Sequence, residues 1–157
     1  PQEINKKLGA DRKSGPERRT TAGFELALPV VFFSGIQHLG VIPENLQQFP
    51  SYVTDYLRLV PATWEETRFL AGYPGKDCVV ARRSGSTWYV AGINGENAPK
   101  MLSFSLKGTV GENKTGVLLN DATGSLNSVE SAVVNSSGNI TVNVEPRGGF
   151  VMIISGK

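Results

Sequence analysis

Glu65 and Glu66 are the two residues of this chain whose type and spacing most directly suggest acid–base chemistry. Hydrolysis of a glycosidic bond uses two carboxyl groups that face each other about 5–10 Å apart across the bond. Neighbouring residues of a strand point to opposite faces of a sheet, so these two carboxylates would not converge on one substrate. We therefore predict a structural role for the pair, in which one of them pairs with Arg68 or caps the start of the segment that follows.

Aromatic side chains near this pair suggest a second chemistry, the stacking of sugar rings. The four aromatic residues are Trp64, Tyr73, Trp88 and Tyr89. Trp88 and Tyr89 are neighbours on one predicted strand and point to opposite faces, so one of them belongs to a core. Trp64 and Trp88 remain the candidates for a sugar-stacking surface, and a carbohydrate-binding module is therefore an alternative function.

The residue types that bind transition metals are scarce in this chain. His38 is the single histidine, and one histidine cannot build a histidine metal site. Cys78 is the single cysteine, which excludes an intrachain disulfide and a thiolate cluster. We expect no metal ligand in this chain, and we predict that Cys78 is a small buried residue of a strand.

The composition indicates a folded domain without a strongly charged partner. Hydrophobic residues make up 39% of the 157 residues and charged residues 19%, as in globular proteins. The formal net charge of +2 is too small to argue for a nucleic acid or an anionic membrane as partner. No stretch approaches the ~20 apolar residues that cross a bilayer. The chain begins at Pro1 without a signal peptide, which suggests a fragment that does not reveal the cellular address of its parent.

The first sixty residues predict two helices and a short strand. Thr20 and Thr21 are helix N-cap types ahead of an almost wholly apolar segment, which is typical of a helix buried in a larger body. Pro29 should kink this helix. Residues 36–41 form a strand-like run, and apolar residues then recur at helical spacing over 43–60. These elements cannot close a core of their own, so we expect another body to cover them or the helices to fold back on the rest of the chain.

After Pro61 the pattern changes to short apolar runs separated by turn residues. Such a series favours a mainly β fold, an antiparallel two-sheet β-sandwich of about eight strands. Ser84-Gly85-Ser86 is predicted to close a tight hairpin, and residues 136–139 to join the next clear pair of strands. The predicted strands are Thr67–Gly72, Cys78–Arg83, Thr87–Ile93, Lys100–Leu106, Gly116–Asn120, Ser128–Val134, Ile140–Glu145 and Gly149–Ser155.

The most distinctive part of the chain is a series of five motifs in its middle. They are Pro61-Ala62-Thr63-Trp64-Glu65-Glu66-Thr67-Arg68, Gly72-Tyr73-Pro74-Gly75, Ala81-Arg82-Arg83-Ser84-Gly85, Thr87-Trp88-Tyr89-Val90 and Ala91-Gly92-Ile93-Asn94-Gly95. The series strongly resembles the junction in glycoside hydrolase family 97 where the catalytic barrel ends and the C-terminal β-domain begins. The resemblance starts near residue 20, is most specific from Thr63 to Gly95 and is loose beyond residue 110.

This resemblance implies that the chain has two parts. Residues 1–60 would be the C-terminal remnant of a (β/α)8 catalytic barrel, and residues 61–157 an antiparallel β-sandwich accessory domain. Within the first part, residues near 20–34 look like the last-but-one barrel helix, residues 35–40 like the eighth barrel strand and residues 43–60 like the eighth helix.

The resemblance further implies that the chain supports an enzyme without being one. The parent would hydrolyse α-glucosides or α-galactosides, and its catalytic carboxylates and calcium-ligating glutamates would precede Pro1. We therefore assign no catalytic residue, metal ligand or cofactor to this chain, and we expect it to cover the barrel and to support folding and oligomer contacts. The expected partners are the barrel of the same polypeptide, further copies of the chain and the parent's oligosaccharide substrate. The parent would be a periplasmic or exported bacterial protein.

Gln37 and His38 are the residues through which the chain would reach a substrate. If residues 35–40 are a barrel strand, its C-terminal end faces the active site. One of the two side chains would then line a sugar subsite. The alternative is a hydrogen-bonded histidine inside the barrel or at its rim.

Overall fold

The structure is a computed structural model that describes residues 18–38, 46–111 and 113–156. Within these ranges the fold is mainly β, and no described helix is long and apolar enough to span a membrane. The helices are α1 (Ala22–Val31) and α2 (Ser51–Leu59). The strands are β1 (Glu66–Tyr73), β2 (Asp77–Ser84), β3 (Thr87–Asn94), β4 (Lys100–Ser105), β5 (Thr115–Asp121), β6 (Val129–Asn135), β7 (Asn139–Val144) and β8 (Gly149–Ser155).

The eight strands form two antiparallel sheets, which confirms the predicted fold class. The larger sheet has six strands in the order β1-β2-β3-β8-β5-β6, and β4 pairs with β7 in the smaller one. Each predicted strand lies within a residue or two of an observed one, because side-chain alternation and turn residues are local signals. The tight hairpin between β2 and β3 is also confirmed, with Ser84 opposite Thr87 and Gly85 at a φ of 57°.

The predicted pairing of the strands on either side of residues 136–139 is wrong. Strand β6 pairs with β5 and β7 with β4, so the connection crosses from one sheet to the other. Buried Ser136 fixes this crossing, because its hydroxyl donates to Gly111 O at 2.7 Å and accepts from Lys114 N at 2.9 Å. These contacts hold the chain against the start of β5 rather than turning it back on itself.

The central strands of the larger sheet, β3 and β8, are buried on both faces, which gives the molecule three layers. Along β3, Trp88 and Val90 point into the core between the two sheets, whereas Tyr89 and Ala91 point to the opposite face. Helices α1 and α2 cover that opposite face, which we call the helix face. Strand alternation therefore supplies two cores from one sheet.

Helix α1 confirms the predicted N-cap. The hydroxyl of Thr21 accepts a hydrogen bond from Phe24 N at 3.1 Å, as an N-cap side chain does. Pro29 lies in the last turn, and the helix ends two residues later at Val31.

The segment between the helices differs from its prediction where it is described. Residues 36–38 are not in a strand, since no described strand runs beside them to pair with, and 39–41 lie outside the described residues. The helical segment predicted over 43–60 is interrupted, since Leu46 is helical, residues 47–49 form a turn and a bend, and α2 begins at Ser51 with Pro50 at its N-cap position. Residues 43–45 lie outside the described ranges.

Candidate assembly surface

The N-terminus of α1 is attached to the sheet through the buried carboxylate of Asp121, at the end of β5. Its Oδ2 accepts from the Thr21 hydroxyl at 2.7 Å and from Gly149 N at 3.0 Å, and its Oδ1 accepts from Gly23 N at 2.7 Å. Burial raises the pKa of this carboxyl, and the three hydrogen bonds oppose the rise. A carboxylate at this position also complements the positive end of the helix dipole.

Two glycines allow the backbones of α1 and β8 to touch at this point. A Cβ atom on Gly23 would lie 2.2 Å from the carbonyl oxygen of Gly149, and one on Gly149 would lie 2.8 Å from the Cα of Phe24. No side chain fits at these distances, so the attachment of α1 depends on both glycines.

The C-terminus of α1 is held by Arg82 of strand β2. Its Nε donates to Val30 O at 2.6 Å and its Nη2 to Val31 O at 3.3 Å, while Nη1 donates to the hydroxyl of Thr67. The guanidinium also lies 5.7 Å from the ring centre of Phe33. Because the last carbonyls of a helix have no partner within it, a cation that donates to them satisfies these acceptors and complements the dipole. The sheet thus places a negative group at one end of α1 and a positive group at the other.

Three tyrosine hydroxyls attach α2. Tyr56 is buried and donates to Leu26 O of α1 at 2.8 Å, and burial raises its pKa far above the usual range. Tyr52 donates to Val129 O of β6 at 2.7 Å, and Tyr89 of β3 donates to Leu59 O at 3.3 Å. These bonds and the helix-face core join α2 to both α1 and the sheet.

The helices therefore fold back on the sandwich, one of the two outcomes expected from the sequence. Leu26, Val30 and Val53 are buried in the helix-face core. Phe32, Phe33 and Ile36, which follow α1, remain more than half exposed. Docking thus covers the helices and leaves an apolar surface just after α1.

Glu66 makes the predicted pair with Arg68, but the two carboxylates do not diverge as strand alternation predicted, because Glu65 precedes β1 and both contact Arg83. Glu65 accepts from Gly85 N at 2.8 Å and pairs with Arg83, and Glu66 pairs with Arg68 at 2.7 Å and with Arg83 at 3.3 Å. The pKa of Glu65 is lowered chiefly by the hydrogen bond from Gly85 N and next by the one from Arg83. The pKa of Glu66 is lowered chiefly by the hydrogen bond from Arg68. Both carboxylates are thus engaged in closing the hairpin and the start of the sheet.

The two candidate stacking tryptophans lie in different environments. Trp88 is 8% exposed in the core between the sheets, as expected for one member of the Trp88–Tyr89 pair. Trp64 is half-buried and meets the ring of Tyr89 edge-to-face at 5.4 Å. The sugar-stacking role stays a prediction, and the burial of Trp88 weighs against it because a stacking ring needs an open face.

Gln37 and His38 lie between the two helices. The side-chain amide of Gln37 donates to Pro29 O at 3.1 Å and to Pro61 O at 3.3 Å, which ties the end of α1 to the beginning of the sandwich. His38 is exposed. Their place in a sugar subsite stays a prediction.

Cys78 and the acidic residues form no metal-binding group in the described part of the chain. Among residues 18–38, 46–111 and 113–156, no three His, Cys, Asp or Glu side chains are placed to hold an ion. Cys78 is half-buried in β2 beside the helix-face core, and burial foremost raises its pKa.

An apolar groove of about 430 Å³ lies between α2 and strands β5 and β6. Two of its most exposed apolar side chains are Leu59, at 70%, and Val133, at 78%. The hydroxyls of Tyr52, Tyr56 and Tyr89, which also line it, are used in the hydrogen bonds described above. The groove therefore offers apolar contact rather than the converging polar groups that bind a sugar.

Strand β6 forms one open edge of the six-stranded sheet, beside this groove. Ala122 N donates to Ser128 O and Ser136 N donates to Lys114 O, so even-numbered residues of β6 direct their backbone groups to β5. The odd-numbered residues Ser131 and Val133 direct their backbone N–H and C=O groups away from β5, toward solvent. Among the described residues these outward groups have no hydrogen-bond partner.

Strand β1, at the other edge of the same sheet, is protected by its own sequence. It carries the charged Glu66 and Arg68, and its register shifts between Phe69 and Ala71. Charges and bulges blunt an edge against pairing with another strand. Strand β6 has a regular register over its whole length and a single charged residue, Glu130.

A β-sandwich with firmly attached helices and an edge strand of regular register, β6, in its six-stranded sheet defines an accessory domain suited to contact with other protein surfaces. Residues 63–155 match the family model described as "Glycosyl-hydrolase 97 C-terminal, oligomerisation". The chain belongs to glycoside hydrolase family 97, as its motifs predicted, and it contains the family's C-terminal domain.

Three proteins that are 33–42% identical to this chain are named as glycosidases, and each is much longer than this chain. A "Probable retaining alpha-galactosidase" of Streptomyces bingchenggensis is 42% identical over 81 residues, which are 52% of this chain and 12% of the relative. A "Retaining alpha-galactosidase" of Bacteroides thetaiotaomicron is 33% identical over 146 residues, which are 90% of this chain and 22% of the relative. The solved structure of a beta-arabinopyranosidase, 36% identical, superposes with a TM-score of 0.79 over 91% of this chain and 22% of that one.

Proposed function

We propose that the chain is the non-catalytic C-terminal part of a family 97 α-glycosidase, in which it covers the catalytic barrel and holds copies of the enzyme together. The observation that carries this proposal is the attachment of α1 at both ends, by Asp121 and by Arg82. Because α1 is hydrogen-bonded to the sandwich at both of its ends, a contact made by the sandwich positions whatever is joined to the helix. The exposed Phe32, Phe33 and Ile36 are the apolar surface that the barrel covers.

The substrate of the parent, in this proposal, has the galactose configuration. Support comes from the relatives at 42% and 33% identity, which are named α-galactosidases, and from the β-arabinopyranosidase at 36% identity. A β-L-arabinopyranoside has the ring configuration of an α-D-galactopyranoside and lacks only its hydroxymethyl group. A pocket that fits one of these sugars would therefore fit the other, whereas an α-glucoside differs in the orientation of a ring hydroxyl.

Calcium and export are attributes of the parent in this proposal, supported by the family resemblance alone. The described residues bring together no set of ligands for calcium. No step of chemistry in this chain is derived through the ion.

The proposal is tested on the purified 157-residue chain. We expect no hydrolysis of 4-nitrophenyl α-galactoside, α-glucoside or β-L-arabinopyranoside, and concentration-dependent self-association in sedimentation velocity. Turnover that is lost on substitution of Glu65 or Glu66 would contradict the non-catalytic role. A chain that stays monomeric at high concentration would contradict the role in assembly.

A further inference from the structure

We infer that strand β6 is the self-association edge of this domain, and that it pairs antiparallel with β6 of a second copy about a two-fold axis near Ala132. The inference rests on the proposed role in assembly and names the surface that performs it. A symmetric pair of this kind would join two six-stranded sheets into one continuous sheet.

The outward-facing backbone groups of β6 are available for such a pairing. The N–H and C=O groups of Ser131 and Val133 point away from β5 and have no partner among the described residues. An unpaired strand edge is a template for another strand. The outward carbonyl of Val129 is occupied by the hydroxyl of Tyr52, which confines the free edge to the middle and C-terminal half of the strand.

The side chains of β6 are compatible with those of a second β6 strand related by this two-fold axis. With the axis at Ala132, Ser131 of each copy lies opposite Val133 of the other, and the two Val133 side chains become diagonal neighbours. Glu130 of each copy lies opposite Val134 of the other, so the only charges of the strand are not placed opposite each other. Like charges directly opposite would destabilise the pair.

The groove explains why the pairing would be favourable as well as geometrically allowed. Val133 is 78% exposed and lies opposite Val117 of β5, which is 40% exposed. Exposed apolar patches beside an open edge mark interaction surfaces. Joining two copies brings the apolar side chains of both grooves together over one sheet. The opposite edge, at β1, also exposes Phe69, at 66%, but its charges and its register shift oppose pairing with another strand.

Val133→Lys tests the surface. The side chain already faces solvent, so the fold of one copy should be retained, while two lysines meet across the axis. We expect the dimer dissociation constant to rise by about tenfold or more, the effect of a modest loss in binding free energy. Met101→Lys is the matched control, because Met101 is 71% exposed on β4 of the smaller sheet and should leave association unchanged.

Val133→Pro tests the backbone pairing itself. Proline is tolerated on an edge strand where its nitrogen faces solvent, so the β5–β6 ladder should persist while one outward donor is lost from each copy. Amide hydrogen exchange of the unaltered chain supplies a second measurement. The amides of Ser131 and Val133 should become protected as concentration rises, whereas those of Ala132 and Val134, which face β5, should be protected throughout.

The outcomes separate this inference from the proposed function. Self-association that Val133→Lys and Val133→Pro abolish, with concentration-dependent protection of Ser131 and Val133, supports it. Self-association that both variants leave intact overturns the inference and leaves the role in assembly standing. A monomeric unaltered chain overturns both.

Discussion

At the scale of residues, the attachment of α1 depends on Asp121, a single acidic side chain at the end of a strand. Its partner Thr21 lies 100 positions away in the sequence. The sequence around Asp121 carries no pattern that could have predicted this role. The pairing of Glu66 with Arg68, by contrast, was predicted correctly, because the two residues are close in the sequence. The divergence of the two carboxylates expected from strand alternation was wrong, because Glu65 precedes β1 and both groups contact Arg83.

Asp121→Asn should destabilise the chain by about 1–3 kcal/mol, because the amide nitrogen would face N–H or O–H donors and leave buried groups unpaired. Urea unfolding followed by circular dichroism gives the change in the free energy of unfolding. Asp55→Asn is the matched control, since its carboxylate is 59% exposed and makes one 3.6 Å ion pair with Arg58. Equal stability of the two variants would contradict the role assigned to Asp121.

The pH dependence of stability should have opposite signs at Asp121 and at Glu66. Burial raises the pKa of Asp121 above 3.8, so its contribution to stability is complete below that pH and is lost as pH rises through the folded-state pKa. The hydrogen bond from Arg68 foremost lowers the pKa of Glu66 below 4.5, so its contribution is present above that pH and is lost as pH falls.

Unfolding curves from acidic to neutral pH test these signs. The stability advantage of the unaltered chain over Asp121→Asn should shrink as pH rises, and its advantage over Glu66→Gln should grow. An advantage over Asp121→Asn that grows with pH would mean that the three hydrogen bonds to Asp121 outweigh its burial, the opposite of the predicted sign.

At the scale of elements, all eight strands were predictable and the sheet partners of β6 and β7 were not. Strand identity follows from alternation and turn residues within about ten positions, whereas pairing depends on contacts between distant segments. The second helix was predicted as one continuous segment because its helical spacing continues across Pro50, whereas in the structure the helix is interrupted after Leu46 and α2 begins after Pro50. The strand expected at 36–38 lacks a neighbour among the described residues.

Arg82→Met should weaken the attachment of α1, because it keeps much of the side-chain length and removes the donors to Val30 O and Val31 O. We expect a loss of about 1–3 kcal/mol in the free energy of unfolding, the range for a donor lost from partly buried acceptors. Arg58→Met is the control, since Arg58 is 77% exposed on α2. If both arginine variants unfold at the same urea concentration, Arg82 does not hold the helix.

At the scale of the whole molecule, the helices and the sandwich share one sheet. The helix-face core joins Leu26 and Val30 of α1 and Val53 of α2 to residues of β2, β3, β5 and β8. The sequence left two outcomes open for the helices, burial by another body or return to the sandwich. Contacts between distant residues decide between them, both the packing of the helix-face core and the polar attachments of α1. Apolar periodicity alone does not encode which distant segments meet.

Native-state hydrogen exchange of the whole chain, measured as urea is increased, tests most directly whether the helices and the sandwich are one body. We predict that the amides of Leu26, Ala27 and Val30 exchange only through the global unfolding that also exposes Val90 in β3 and Met152 in β8, with the same free energy and the same urea dependence. Helix amides that exchange through a local opening of much lower free energy, while Val90 and Met152 stay protected, would contradict this claim.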